Sequence, residues 1–179
     1  MIVRWIFQHR LMPVAVVAVI VVLLPLLFPT AYYYRIGALV FIFALAAVGL
    51  NLLMGFAGQV SLGHAGFFGV GAYVVAIGPV YLGLAPWLSI ILGAALSALI
   101  AFVVGRPILR LKGHYLAVAT LGFGILIAIV LTNEAQWTGG PDGMSVPRLL
   151  LFGWRVSGSV TWYWVAAVTL LAGMVLAFN

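Results

Sequence analysis

Residues 36–55 read IGALVFIFALAAVGLNLLMG, and Asn51 is the one polar side chain in this run of 20 residues. A helix needs about 20 apolar residues to cross the hydrocarbon core of a bilayer. Backbone N–H and C=O groups must be paired inside that core, and a helix pairs them within the segment itself. The run therefore predicts a transmembrane helix.

The composition extends this prediction to the whole chain. Of the 179 residues, 66% are hydrophobic and 6% are charged, whereas roughly a quarter of the residues in a soluble domain are charged. Lipid must therefore surround most of the protein. We predict an all-α fold, a polytopic transmembrane helical bundle that forms a single domain over residues 1–179. Its approximate spans are residues 11–29, 36–55, 60–80, 86–104, 115–132 and 161–178.

The distribution of Lys and Arg predicts a cytoplasmic N-terminus, because short cytoplasmic loops are enriched in these residues. In that orientation the inside carries five basic residues, namely Arg4, Arg10, Arg106, Arg110 and Lys112. The outside carries Arg35, Arg148 and Arg155 together with both acids, Glu134 and Asp142. Topology thus accounts for the formal charge of +6, and no nucleic-acid partner is expected. The basic start resembles a signal peptide, but the first run is too long for one, so we expect it to be retained.

A glycine-rich segment separates the second and third spans. Residues 55–71 read GFAGQVSLGHAGFFGVG, with six glycines in 17 positions. Such density predicts a broken, re-entrant or tightly packed segment, which is tolerated at membrane depth only when it is buried in protein or lines water. A second irregular stretch, residues 133–160, contains Thr138-Gly139-Gly140-Pro141-Asp142-Gly143 and is expected to be an external loop with tight turns.

The candidate residues for the translocation pathway, or for close helix packing, are the polar and small residues in and around this segment. They are Asn51, Ser61, His64, Gly66, Gly69, Tyr73 and Thr120. His64 beside Ser61 suggests nucleophilic catalysis, but no acid is near enough in sequence to orient the histidine, so hydrogen bonding between helices is the preferred interpretation. No catalytic, metal-binding or cofactor-binding residue is predicted.

Two absences bear on the source of energy. The chain has no GxxxxGK[ST] phosphate loop, since its single lysine, Lys112, precedes Gly113. The predicted spans contain no Asp, Glu, Lys or Arg, which ion-coupled carriers usually place inside the membrane. We therefore predict that the chain is not an enzyme and that energy for uphill transport enters from another subunit.

Three ordered blocks of the sequence resemble the permeases of branched-chain amino-acid ABC transporters, and in particular the LivM-type subunit. Residues 49–73 read GLNLLMGFAGQVSLGHAGFFGVGAY, residues 111–124 read LKGHYLAVATLGFG, and residues 138–143 read TGGPDG. Together they span residues 36–150 of the chain approximately, in the order and spacing of the family.

The resemblance implies a multi-pass subunit of a bacterial inner membrane, surrounded by membrane lipid. Its expected partners are a second related permease, two ATP-binding subunits and a periplasmic solute-binding protein. Branched-chain or related amino acids are the implied substrates, and the particular amino acid stays open. Family members continue beyond the point where this chain stops at Asn179, so a C-terminal truncation is expected.

Two other functions stay open at this stage. One is a self-contained secondary carrier or channel, which the absence of acids from the spans disfavours. The other is a membrane fragment that does not transport.

Overall fold

A computed structural model of the protein describes residues 2–146, 149–151 and 154–178, and the side chains of residues 12–146 and 156–178. The α-helices are α1 (Ile2–Leu27), α2 (Ala31–Ala57), α3 (His64–Tyr81), α4 (Pro86–Ile108), α5 (His114–Asn133), α6 (Ala135–Thr138) and α7 (Ser159–Phe178). A 3-10 turn covers Gly140–Asp142, and two short strands, β1 (Leu149–Leu151) and β2 (Trp154–Val156), pair antiparallel. The side chains of Arg4, Arg10, Arg148 and Arg155, on which the predicted orientation partly depends, lie outside the described residues.

The predicted helical bundle is confirmed. Within the described residues, five helices are long and apolar enough to cross a membrane, namely α2, α3, α4, α5 and α7. Within α1, the apolar segment whose side chains are described, Met12–Leu27, is shorter than these five helices. The β1–β2 ribbon was not predicted, and it lies inside the stretch 133–160 that the sequence indicates as a loop.

The chain divides into two compact units, with the boundary inside α2. We call residues 1–52 with 157–179 the terminal unit, and residues 53–156 the central unit. The terminal unit contains α1, most of α2, and α7, and the central unit contains α3, α4, α5 and α6.

The core of the terminal unit surrounds Tyr163 on α7, whose side chain is 2% exposed. Its ring packs against Phe41 and Tyr34 with centroid distances of 5.1 and 5.3 Å. Gly37 makes room for the ring, because a Cβ atom at that position would lie 2.6 Å from Tyr163 Cε2. Six further buried residues complete this core, namely Val21, Ala38, Ala166, Ala167, Leu170 and Met174.

The Tyr163 hydroxyl donates a hydrogen bond of 2.7 Å to the carbonyl oxygen of Val21 on α1. In an α-helix that oxygen accepts from the N–H four residues later, which here is Pro25 and has no N–H. Tyr163 therefore supplies the donor that Pro25 removes. An unpaired carbonyl would be costly in lipid, so this one hydrogen bond both satisfies α1 and ties it to α7.

The central unit is held together by backbones that approach closely, with α3 between α4 and α5. On the α4 side, a Cβ at Gly93 would lie 3.2 Å from the carbonyl oxygen of Gly71, and one at Gly78 would collide with Ser89. Ser89 is fully buried. Small residues of this kind allow close helix packing in membranes, where burial of apolar surface provides little drive.

The loop after α5 is ordered by its glycines and by Thr138. Gly139, Gly140 and Gly143 all have positive φ, which L side chains rarely adopt. The Thr138 hydroxyl lies 2.6 Å from the carbonyl oxygen of Leu131, to which it donates, and accepts from the N–H of Gly140 at 3.1 Å. The predicted turns are confirmed, and they fold back on the end of α5.

Candidate functional site

The glycine-rich segment is broken, as predicted. Helix α2 ends at Ala57, Gly58 has a φ of +61°, and α3 begins only at His64. Residues 58–63 therefore cross from one helix to the next without a regular hydrogen-bonding pattern. Their N–H groups need other acceptors, and the Gln59 N–H is bonded to the carbonyl oxygen of Leu53 at 3.4 Å.

Thr120 on α5 provides a second acceptor for this irregular segment. The N–H of Leu62 donates to Thr120 Oγ1 at 3.0 Å, and the same hydroxyl donates to the carbonyl oxygen of Ala117 at 2.9 Å. A hydroxyl can accept one hydrogen bond and donate another at the same time. Thr120 therefore links the broken segment to α5 while its own O–H group also has an acceptor.

At the residue after Leu62, the backbone of the irregular segment is in contact with the backbone of α5. A Cβ at Gly63 would collide with the carbonyl oxygen of Thr120, and a Cβ at Gly124 would lie 3.1 Å from Gly63 Cα. One turn further along α3, a Cβ at Gly66 would lie 3.3 Å from Gly124 Cα and 2.9 Å from Ile127 Cδ1. Three glycines thus form one backbone contact, which we call the glycine contact (Gly63, Gly66 and Gly124).

A cavity of about 150 Å³ lies beside the glycine contact, within the central unit. The segment 58–63, α3, α4 and α5 all contribute to its wall. The lining residues are Leu53, Gln59, Val60, Ser61, Gly63, Phe67, Ala101, Val104, Gly105, Ile108, Leu109, Leu116, Thr120 and Phe123. None of them is charged, and Phe67 and Phe123 stack against each other with a centroid distance of 5.3 Å.

The structure brings two of the predicted residues together at this cavity, Ser61 and Thr120. Gly66 is buried in the glycine contact. Gly69 has a looser environment, since a Cβ there would meet only the flexible end of Leu131, at 3.2 Å. Half-buried Tyr73 lies further along α3 and does not line the cavity.

The remaining two predicted residues are placed differently. Asn51 lies on α2 in the terminal unit and is exposed. His64 is the first residue of α3 and is half-buried. The hydrogen bond between helices that the sequence favours for His64 does not occur among the described residues, where Thr120 makes such a bond to the broken segment instead.

The predicted site residues did not include Gly63, Gln59 or Gly105, although the first forms the tightest part of the glycine contact and the others line the cavity. The glycine density of the segment was the available signal for Gly63. Nothing local distinguished Gly105, which is spaced like its neighbours on α4. In the described ranges, no three His, Cys, Asp or Glu side chains come together as a possible metal site.

Comparison with known proteins gives the family of this chain. The family of permease components of the branched-chain amino acid transport system matches residues 32–179. The chain belongs to this family. The matched residues include the irregular segment 58–63, the glycine contact and every residue that lines the cavity. Members are transport permeases rather than enzymes, and this permease is a multi-pass protein of the cell inner membrane.

Two relatives of the permease are both high-affinity branched-chain amino acid transport system permease proteins, LivM. The Salmonella typhimurium protein is 42% identical over 125 residues, which is 69% of this chain and 29% of the relative. The Escherichia coli K12 protein is 41% identical over 123 residues, or 68% of this chain and 29% of the relative. The permease thus aligns with less than a third of either relative, and no solved structure matches it.

Proposed function

We propose that this permease forms part of the translocation pathway of an ATP-binding-cassette importer for branched-chain or related amino acids. Family membership over residues 32–179 is the observation that carries the proposal. The two LivM relatives, whose names specify branched-chain amino acids, support the substrate class. The irregular segment 58–63 supports a pathway role, because irregular backbone at membrane depth is tolerated where it is buried or lines a cavity.

The proposed partners are a second related permease, two ATP-binding subunits and a periplasmic solute-binding protein. Two features of the chain favour an energy source on another subunit. It contains no phosphate loop for ATP, and the long apolar runs of its helices contain no carboxylate that could carry a proton across. The permease itself is proposed to have no catalytic activity.

Uptake in cells that lack their own branched-chain amino acid transport tests this function. The permease is produced with and without the proposed permease, ATP-binding and solute-binding partners, and radiolabelled leucine uptake is normalised to membrane-inserted protein. We expect uptake only when the ATP-binding subunits are present and able to hydrolyse ATP. Proton-driven leucine uptake by liposomes that contain this permease alone would instead establish a secondary carrier.

A further inference from the structure

We infer that the cavity beside the glycine contact binds the aliphatic side chain of an amino acid, of isopropyl or isobutyl size, while the charged ends of that amino acid stay outside it. This inference rests on the proposed function and assigns side-chain selection to particular residues of the permease. Its basis is the volume of the cavity, the chemistry of its lining and two polar side chains that are not hydrogen-bonded to any other described residue.

The volume limits the group that fits. Apolar cavities of about 150 Å³ lined by Leu, Ile and Phe stay dry and can take one benzene molecule. The cavity here has a similar volume, about 150 Å³, and a lining dominated by Leu, Ile, Val and Phe, but it is partly open to its surroundings. An isobutyl or isopropyl group is smaller than benzene and can be enclosed, whereas the indole ring of tryptophan is too large to be enclosed.

The lining also selects against charge. No Asp, Glu, Lys or Arg contributes to the wall, so a charged side chain would lose its hydration without gaining a partner. The same reasoning applies to the ammonium and carboxylate groups of any amino acid. They must therefore stay at the mouth of the cavity, in water or against other groups.

Gln59 and Ser61 are suited to meet those charged groups. Both line the cavity from the irregular segment, and neither side chain is hydrogen-bonded to another described residue. Thr120 differs, because its hydroxyl is already engaged with Leu62 and Ala117. An amide and a hydroxyl can donate to a carboxylate or accept from an ammonium, and the apolar residues of the same lining would meet the aliphatic side chain.

The first experiment uses the absence of cysteine from the chain. Ser61→Cys places a thiol in the cavity wall, and its rate of modification by a small methanethiosulfonate reagent is measured in membranes. We expect saturating L-leucine or L-valine to slow modification severalfold, and glycine, L-glutamate and L-tryptophan to leave it unchanged. Ser145→Cys is the control, because Ser145 is exposed and lies outside the cavity.

The second experiment reduces the cavity without a clash. A Cβ at Gly105 would meet only Leu109 Cδ1, at 4.0 Å, so Gly105→Val adds its methyl groups to the cavity wall. Added to Ser61→Cys, it should lower protection by leucine relative to valine about tenfold, as expected when a pocket loses room for one methylene. Gly122→Val is the matched control, since no atom lies within 4 Å of a Cβ there, and it should leave the ratio unchanged.

Both readouts measure occupancy of the cavity, so they separate this inference from the proposed function. If leucine protects position 61 but no ATP-dependent uptake is observed, the cavity assignment stands and the proposed importer function is rejected. Leucine uptake without any protection at position 61 would overturn the assignment. The assignment would also be overturned if the thiol at position 61 reacted slowly in phospholipid bilayers and fast in detergent, with no effect of leucine. That result would indicate that a lipid acyl chain occupies the cavity.

Discussion

The terminal and central units hold their helices together in opposite ways. The terminal unit is built around one large side chain, Tyr163, which fills a notch at Gly37 and donates a hydrogen bond across 142 residues of sequence. The central unit has almost no side chain at its tightest point, where Gly63 meets Gly124 and the backbone of Thr120. One unit is held by a ring and its hydroxyl, and the other by backbones in contact.

The difference follows from the weak drive for helix association in lipid. Moving apolar surface from the lipid hydrocarbon to a contact between helices lowers the free energy very little. Packing contacts and hydrogen bonds must therefore hold the helices together. Tyr163 contributes both within a single residue. The glycine contact contributes packing, and the neighbouring Thr120 contributes the hydrogen bond. We therefore expect the central unit to be sensitive to added volume and the terminal unit to be sensitive to a lost donor.

The largest effect is expected from Gly66→Leu in the central unit. A side chain there would enter the space of Gly124 Cα and Ile127, and α3 could accommodate it only by moving away from α5. Overpacking of this kind costs roughly 1–3 kcal/mol, and separation of the helices also deforms the cavity wall. We expect leucine uptake by the assembled transporter to fall to background levels.

Gly122→Leu is the matched control, because it adds the same side chain at an open helical position. It should retain most of the uptake when both variants are normalised to inserted protein. Gly69→Leu should fall between the two, since only the flexible end of Leu131 is in the way. Normal uptake by Gly66→Leu would show that the glycine contact does not hold the central unit.

A smaller effect is expected from Tyr163→Phe in the terminal unit. The ring stays but the donor to the Val21 carbonyl is lost, which should lower the free energy of unfolding by about 1 kcal/mol. Pro25→Ala restores a backbone N–H four residues after Val21. In the background of Pro25→Ala, Tyr163→Phe should therefore cost less.

A double-mutant cycle of these two changes measures the coupling, with stability followed by chemical unfolding in detergent micelles. Positive coupling would establish that the hydroxyl replaces the donor that Pro25 lacks. If the cost of Tyr163→Phe were the same with and without Pro25, the hydroxyl would have no such role, and only the ring would hold the terminal unit.

The smallest effect is expected from His64→Asn. The imidazole makes no hydrogen bond among the described residues, and Asn keeps a polar side chain at the first position of α3. Uptake should stay within about twofold of the unaltered permease, because the change breaks no hydrogen bond among the described residues and substitutions away from such features usually alter stability by less than about 0.5 kcal/mol. Loss of uptake with normal insertion would show that a specific histidine chemistry operates at the break.

The apolar runs and the glycine density were sufficient to predict the helices and the broken segment. They could not give the length of the break, because the irregular residues before His64 are stabilised by Thr120, 58 residues further along the chain from Leu62. A contact of that kind leaves no local pattern. For the same reason, only the structure separates Gly93, where a Cβ would contact α3, from Gly105 on the same helix, which borders a cavity.

The candidate site was predicted in part. Ser61, Gly66 and Thr120 were selected as polar or small residues in or near the break, and they do lie at the cavity or the glycine contact. His64 was selected because it lies in the glycine-rich segment beside Ser61, and a hydrogen bond between helices was expected. At the start of α3 its side chain has no hydrogen-bond partner among the described residues. The cavity itself depends on how four helices and the irregular segment meet, and no single segment contains that information.

The hydrogen bond from Tyr163 to Val21 has a consequence for biosynthesis. Translation proceeds at about 5–20 residues per second, so on the order of 10 s separates the synthesis of these two residues, which lie 142 positions apart. During that interval α1 contains a carbonyl group without its permanent donor. The central unit closes over shorter sequence distances, such as the 58 residues between Leu62 and Thr120. Helix α1 would therefore be among the last of the described helices to reach its final structure, and until then water, lipid headgroups or the insertion machinery must solvate that carbonyl group.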